Sequence, residues 1–308
     1  MLVSGVVLMK RTVRAYSPAG VSGFFIPHIR SSPVTSGAQG GGVATSRGVY
    51  VDVTVEDSDR TEIVTLLNGE FRDMYVARRV CERILKRVNG NYRVIVNQRI
   101  EVPIGGGFGT SGASAIATGL ALAKALNSKL SYLEVAREAH IAEIECGTGL
   151  GTVSGLVVGG VVLVLEPGPP GLDRVDRIIV DKGLKVILGF FKPIPKSEVL
   201  SRIDFGKVWV EGCRVMGMIL RNPTLEVFME ACWSFARSIG VTTSRIVRVV
   251  EEISRLDVVG VSQAMIGESV FTLVDSDRVE DVASTLKSLG AQVVVSDIAF
   301  NPAHVIQG

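Results

Sequence analysis

The chain has 308 residues, 47% of them hydrophobic, which is enough apolar material for two packed domains. Its 33 Lys and Arg nearly balance 31 Asp and Glu, and the basic residues are scattered, so composition argues against a nucleic-acid or membrane surface and for a small partner. Cys81, Cys146, Cys213 and Cys232 form no CxxC pair and the three histidines lie far apart, which excludes an obvious zinc site and reads as reduced cytosolic thiols.

In chain order, MLVSGVVLMKRTVRAYSPAG carries its positive charges after a short apolar run. That order is wrong for a signal peptide, and the run is too short to span a bilayer. Residues 1–8 read as an extension, with Met9 as an alternative start. From Arg11 a strand is expected to lead into SPAGVSGFFIPH, where Pro18, Gly20 and Gly23 break the ladder. His28, after a proline, suits a turn as well as a functional role. A glycine-rich loop, TSGAQGGGVAT, is expected over 35–45, followed by the half-buried strand GVYVDVTVEDS with its period of two. TEIVTLLNG is a strand and turn, and Val76, Val80, Ile84 and Val88 at i+4 spacing predict an amphipathic helix within 71–88. A strand over 92–102 then delivers the most constrained stretch of the chain.

That stretch is PIGGGFGTSGASAIATGLALAKAL, residues 103–126, with five glycines between Gly105 and Gly112 running straight into Ala-rich helical sequence. A loop without side chains that opens a helix offers backbone N–H groups and the positive end of the helix dipole to an anion, most often a phosphate. Thr110 and Ser111 add hydroxyls that can cap the helix or ligate a magnesium ion. Gly107, Gly109 and Gly112 formally spell GxGxxG, but a helix follows where a dinucleotide fold needs a strand and an acidic residue. No lysine follows the last glycine, which excludes a Walker loop.

The next helix, SYLEVAREAHIAEIE, opens with Ser131 and Glu134 in capping-box spacing. His140 and Glu143 share a face and Glu145 is turned away from it. Glu143 near the glycine loop would complete a magnesium site with Ser111, and His140 could meet an anionic substrate, although the same spacing suits a solvated helix surface. CGTGLGTVSGLVVGG and the buried strand VVLVLE then lead to a Pro/Gly turn that closes a first domain. Beyond it come a strand over 184–191, the segment PIPKSEVLSR, and a helix from Asn222-Pro223 to Gly240. Strands over 258–262 and 270–274, a helix over 278–289 closed by Gly290, and a strand over 291–296 complete an α+β pattern of ferredoxin-like type.

Pro103 to Ser114 resembles the central motif of the GHMP kinase superfamily, roughly PxxxGLGSSAA, with Phe108 for the leucine and Thr110-Ser111 for the serine pair. SPAGVSGFF, the GGG loop and TGLG together resemble its archaeal pantoate kinase branch over nearly the whole chain. The resemblance implies an α+β two-domain GHMP kinase fold: a ribosomal protein S5 domain 2-like N-terminal domain over 1–171 and a ferredoxin-like C-terminal domain over 172–308. It implies a cytoplasmic kinase using ATP and Mg2+ on pantoate or a similar hydroxy acid, with no nucleic acid, no membrane, and room for a homodimer. Pro103, Gly105, Gly106, Gly107, Gly109, Thr110, Ser111 and Gly112 would bind the nucleotide. Ser111 and Glu143, the latter matched through AHxAE, would hold the metal. Ser111, Glu143 and Thr152 would form the catalytic group, and Ser36, His28 and His140 would face the substrate. QAMIGESVFTL resembles the third motif, with Gly267 best matched and Glu268 and Ser269 departing from it.

Three further positions depart from the resemblance. Thr152 stands where relatives carry an aspartate, Val164 where an arginine pairs with the substrate carboxylate, and Gly20 where lysine or histidine is usual. Threonine cannot accept a proton at neutral pH, yet phosphoryl transfer rests mainly on positioning and charge neutralisation and so tolerates the loss. Losing a bidentate arginine bears on substrate identity instead. Two alternatives stay open: a paralogue for another hydroxylated metabolite, and a catalytically silent nucleotide-binding relative.

Overall fold

The computed structural model describes residues 10–194, 198 and 203–307. The reading of residues 1–8, and most of PIPKSEVLSR, lie outside the described residues.

The two longest strands, β1 (Lys10–His28) and β2 (Gly37–Asp57), pair antiparallel along their whole length and form the spine of an eight-stranded sheet. β3 (Glu62–Leu67), β4 (Glu70–Phe71) and β5 (Tyr92–Ile100) extend it on one side, and β6 (Val161–Glu166) and β7 (Arg174–Ile178) branch from the glycine-rich half of β2. The alternating valines foreseen in β2 do what that period requires. Val49, Val51, Val53 and Val55 all face one core with Val94 and Val96 of β5.

Four helices cover that face: α1 (Tyr75–Leu85), α2 (Thr110–Ala125), α3 (Tyr132–Glu145) and the short α4 (Thr152–Leu156). α2 is buried on almost every side, and its alanines and Gly119 keep it thin enough to lie between the sheet and its helical neighbours. Burial of a helix on all sides requires an apolar sequence all round, which is what the Ala-rich stretch supplies.

The first sheet differs from the sequence expectation in two places. β1 does not break at Pro18, Gly20 and Gly23; register shifts at Pro18/Ala19 and Ser22/Phe24 absorb them as bulges and the ladder continues. The loop expected over 35–45 is, from Gly37 onward, part of β2. Its glycines serve close approach: a Cβ on Gly40 would stand 2.5 Å from the Phe24 carbonyl oxygen, and one on Gly42 2.6 Å from that of Val21.

The second sheet has four antiparallel strands in the order β11 (Gln292–Asp297), β8 (Lys185–Lys192), β10 (Glu268–Val274), β9 (Gly260–Gln263). Counted within this sheet the order is fourth, first, third, second, the ferredoxin-like arrangement the sequence suggests. α5 (Phe205–Arg221), α6 (Leu225–Ser238) and α7 (Ser244–Ile253) lie between β8 and β9, and α8 (Val279–Ser288) lies between β10 and β11. α5, α7, β7 and β12 (His304–Gln307) are not foreseen from sequence. β12 pairs with β1, so the last described strand returns to the first sheet. No helix among the described residues is long and apolar enough to cross a membrane.

Candidate active site

The glycine loop leaves β5 and enters α2 at Gly109, which occupies the N-cap position in the left-handed region with φ of 63°. No side chain caps the helix, so the capping role considered for Thr110 and Ser111 is not taken and the first-turn N–H groups keep their anion-binding character. The loop is wedged among three neighbours. Gly20 N donates to the Phe108 carbonyl at 3.1 Å, tying β1 to it. A Cβ on Gly107 would stand 2.2 Å from the Ile266 carbonyl oxygen, and one on Gly267 2.6 Å from that of Gly105, so the third-motif turn forms one wall. A Cβ on Gly109 would stand 2.6 Å from the Gly20 carbonyl oxygen and 3.0 Å from Thr152 Cγ2.

The carboxylate comes from α3, whose start is fixed by the capping box between Ser131 and Glu134. Glu143 is only 2% exposed. Its Oε1 accepts from the Ser111 hydroxyl and from Thr148 Oγ1, the latter at 2.5 Å. Its Oε2 lies against Gly112 and Gly149, since a Cβ on either would stand 3.1 Å and 2.2 Å from it. Glu145 is on the opposite face, paired with Arg79 at 2.7 Å and Arg83 at 2.8 Å. Ser111 and Glu143 are therefore brought together as expected, at the uncapped end of α2. Thr148, the first residue of TGLG, has no sequence signal that ties it to Glu143; only the fold reveals that the chain turns back over Glu143 there.

Two hard oxygen donors at a helix N-terminus fit magnesium, which takes one or two protein oxygens and completes its shell with phosphate and water. Among the described residues no group of three His, Cys, Asp or Glu could hold a metal alone, so a cation at Ser111 and Glu143 would depend on ligand oxygens. The glycine loop, the bare helix end and this oxygen pair together fit a nucleotide phosphate with its ion.

Beside them lies a cavity of about 400 Å³ between the bulged part of β1, the glycines of β2 and residues 147–156. Thr148 and Thr152 line it, and Val162 and Val164 of β6 form an apolar wall. Ser22 and Gln39 are the other polar side chains on its surface, and no charged residue or histidine lines it among the described residues. Thr152 opens α4 behind Gly151, within contact of Gly109 and Gly112, so it stands where the cavity meets the glycine loop.

The expected substrate-side residues lie just off this cavity. His140 is 1% exposed, and its Nε2 donates to the Ser36 carbonyl at 3.0 Å, which joins those two residues. Burial is the main cause that pulls the His140 pKa below its usual range, against a partial opposing effect of the Ser36 bond. A neutral imidazole is thus favoured there. Gln39 donates its amide to the Leu165 carbonyl at 2.7 Å, so its oxygen takes the Nε2–H of His28 at 2.8 Å. Neither histidine nor Ser36 lines the cavity itself.

Comparison with known proteins gives a consistent picture. The GHMP kinases N terminal domain matches residues 74–160 and the GHMP kinases C terminal domain residues 220–292. A pantoate kinase of Methanocaldococcus jannaschii is 30% identical over 275 residues, covering 89% of this chain and 97% of its own. A pantoate kinase of Thermococcus kodakarensis is 28% identical over 290 residues, 93% of this chain and 95% of its own. Among solved structures, a phosphotransferase related to the CoA biosynthesis pathway superposes with a TM-score of 0.88 at 26% identity, covering 96% of this chain and 99% of its own.

Proposed function

The chain belongs to the GHMP kinase family, and from that premise we propose that it is an ATP- and magnesium-dependent kinase that phosphorylates the hydroxyl of pantoate to 4-phosphopantoate in coenzyme A biosynthesis. The observation that carries the reading is the meeting of Ser111 and Glu143 at the uncapped start of α2, directly beside a cavity of substrate size. The relatives named pantoate kinase over nearly their full length supply the substrate. We place the enzyme in the cytoplasm, in keeping with four free cysteines.

In this reading the first-turn N–H groups of α2 take up phosphate charge, and Ser111 and Glu143 hold the cation that neutralises the rest. The acceptor occupies the cavity with its hydroxyl at Thr152, whose own hydroxyl orients it. The apolar walls exclude water, so the phosphoryl group passes to the acceptor rather than to solvent. Thr152 takes no proton at neutral pH, so with water excluded the acceptor proton leaves to the transferring phosphate itself.

The test is ADP release across a panel of small hydroxy acids and neutral alcohols, with ATP and magnesium. Turnover restricted to pantoate supports the proposal, and Thr152→Asp should then raise the rate, by about 10²-fold at most. The uncharged cavity lining favours one competing reading, a paralogue acting on a less charged hydroxylated metabolite. Turnover with a neutral alcohol and none with pantoate would decide for it.

A further inference from the structure

Helix α3 ends in a way that brings one more residue onto the carboxylate. Cys146 is its C-cap, and Gly147 follows in the left-handed region with φ of 66°. Gly147 N donates to the Ile144 carbonyl at 3.0 Å and Thr148 N to the Glu143 carbonyl at 2.9 Å. These two bonds are the Schellman closure, in which the second residue past the C-cap folds back over the third residue before it, ordinarily with an apolar contact between the two side chains. Here those two residues are Thr148 and Glu143, and the contact is polar. Thr148 Oγ1 lies 2.5 Å from Glu143 Oε1 and 3.2 Å from the Glu143 carbonyl oxygen.

We propose that Thr148 is a positioning residue for the Glu143 carboxylate, fixing its orientation so that it and the Ser111 hydroxyl face one divalent cation; the inference rests on the reading of this site as a metal-dependent kinase. Ser111 reaches the same oxygen, Oε1, from α2, but its own oxygen is the one a cation would recruit. Thr148 approaches Oε1 from the loop after α3, so its hydrogen bond does not use the Ser111 oxygen. On the other side of the carboxylate, Gly149 leaves room for Oε2, because a Cβ there would stand 2.2 Å from it. The two successive residues Thr148 and Gly149 therefore hold one carboxylate oxygen and clear space for the other. Thr148 also lines the acceptor cavity, so the same side chain borders both halves of the site.

The experiment measures Mn2+ binding by electron paramagnetic resonance to the full chain with a non-hydrolysable ATP analogue, alongside binding of the analogue without metal and thermal melting. Thr148→Val, nearly isosteric but without the hydroxyl, should weaken Mn2+ binding by about tenfold or more, the usual range for loss of a residue that orients a ligand. Metal-free binding of the analogue should not change, and Thr148→Ser should keep most of the Mn2+ affinity. A packing role predicts the reverse order, with valine tolerated and serine impaired. Thr148→Ala offers the same comparison if the valine variant loses its cooperative melt. Unchanged Mn2+ affinity in the hydroxyl-free variants, with Ser111→Ala impaired, would overturn the inference and leave the kinase reading standing. No Mn2+ binding by the unaltered chain would overturn both.

Discussion

Glu143 is buried to 2% exposure with two hydroxyl groups on one of its oxygens, so an alanine there would leave a void and strand both donors. Glu143→Gln keeps the volume and removes the charge, which makes it the cleaner variant. It and Ser111→Ala should each lower magnesium-dependent ADP release by about 10²-fold or more, the scale expected when electrostatic stabilisation of the transferring group is lost. Melting behaviour close to that of the unaltered chain would attribute the effect to the site. Full activity in Glu143→Gln would remove this carboxylate from the mechanism. His140 gives a second test at the same scale. Its pKa is lowered in the fold by burial, so the unfolded chain binds its proton more readily. Stability from this residue is complete above its ordinary value of 6.5 and is lost as pH falls below that toward the lowered folded value. Chemical denaturation at pH 7.5 and 5.5 should show a larger loss for the unaltered chain than for His140→Gln, which can still donate to the Ser36 carbonyl. Equal losses would mean that His140 does not titrate in this window.

At the scale of elements, each glycine of the phosphate loop is demanded by a neighbour as well as by any ligand. Gly109 combines φ of 63° with a Gly20 carbonyl oxygen that would lie 2.6 Å from an added Cβ. Gly69 has φ of 84° with nothing within 4 Å, so it carries only the conformational part. Gly69→Ala should therefore cost about 1 kcal/mol. Gly109→Ala should cost more, about 2–4 kcal/mol with the clash included, and should also weaken nucleotide binding because β1 and the loop must separate. Matched losses in urea denaturation would refute the close-packing argument. The same physics explains what the sequence could and could not reveal. The apolar period of α1, the capping box of α3 and the loop-to-helix junction at Gly109 depend on local spacing, and they were legible. Gly40 and Gly42 looked like loop residues because glycine is scarce in strands, and only contact with the Phe24 and Val21 carbonyls gives the reason for them. α5 hid because Gly206, Gly212 and Gly217 interrupt it and its Val and Trp residues suit a strand, while burial against β1 and α6 decides for helix. Thr148 was invisible for a related reason: a hydroxyl five residues after a glutamate means nothing until the helix end folds it back.

At the scale of the whole molecule, the sequence suggests two domains divided at 171/172, and we propose that division as a boundary between lobes rather than between independent folding units. The reason is the core. Ala19, Val21, Phe24 and Ile26 of β1 pack in one cluster with Val208, Val215 and Ile219 of α5, Phe228 and Phe235 of α6, and Leu188 of β8. The Phe24 and Phe235 rings meet edge to face with centroids 6.2 Å apart. β7 and β12, from beyond residue 171, are strands of the first sheet. A fragment beginning at 172 would therefore expose the apolar faces of α5 and α6, and one ending at 171 would lose two strands together with the cover over β1. Lobes that bury this much of each other cannot unfold separately without exposing a large apolar area, at roughly 25 cal/mol for each Å². Calorimetry of the intact chain should accordingly show one cooperative transition, with neither fragment folding alone and both folding on mixing if they can pair. Two resolved transitions, or a native-like 172–308 fragment, would show that the lobes are separable domains, and the nucleotide loop would then owe its wall at Ile266 and Gly267 to docking rather than to a shared core.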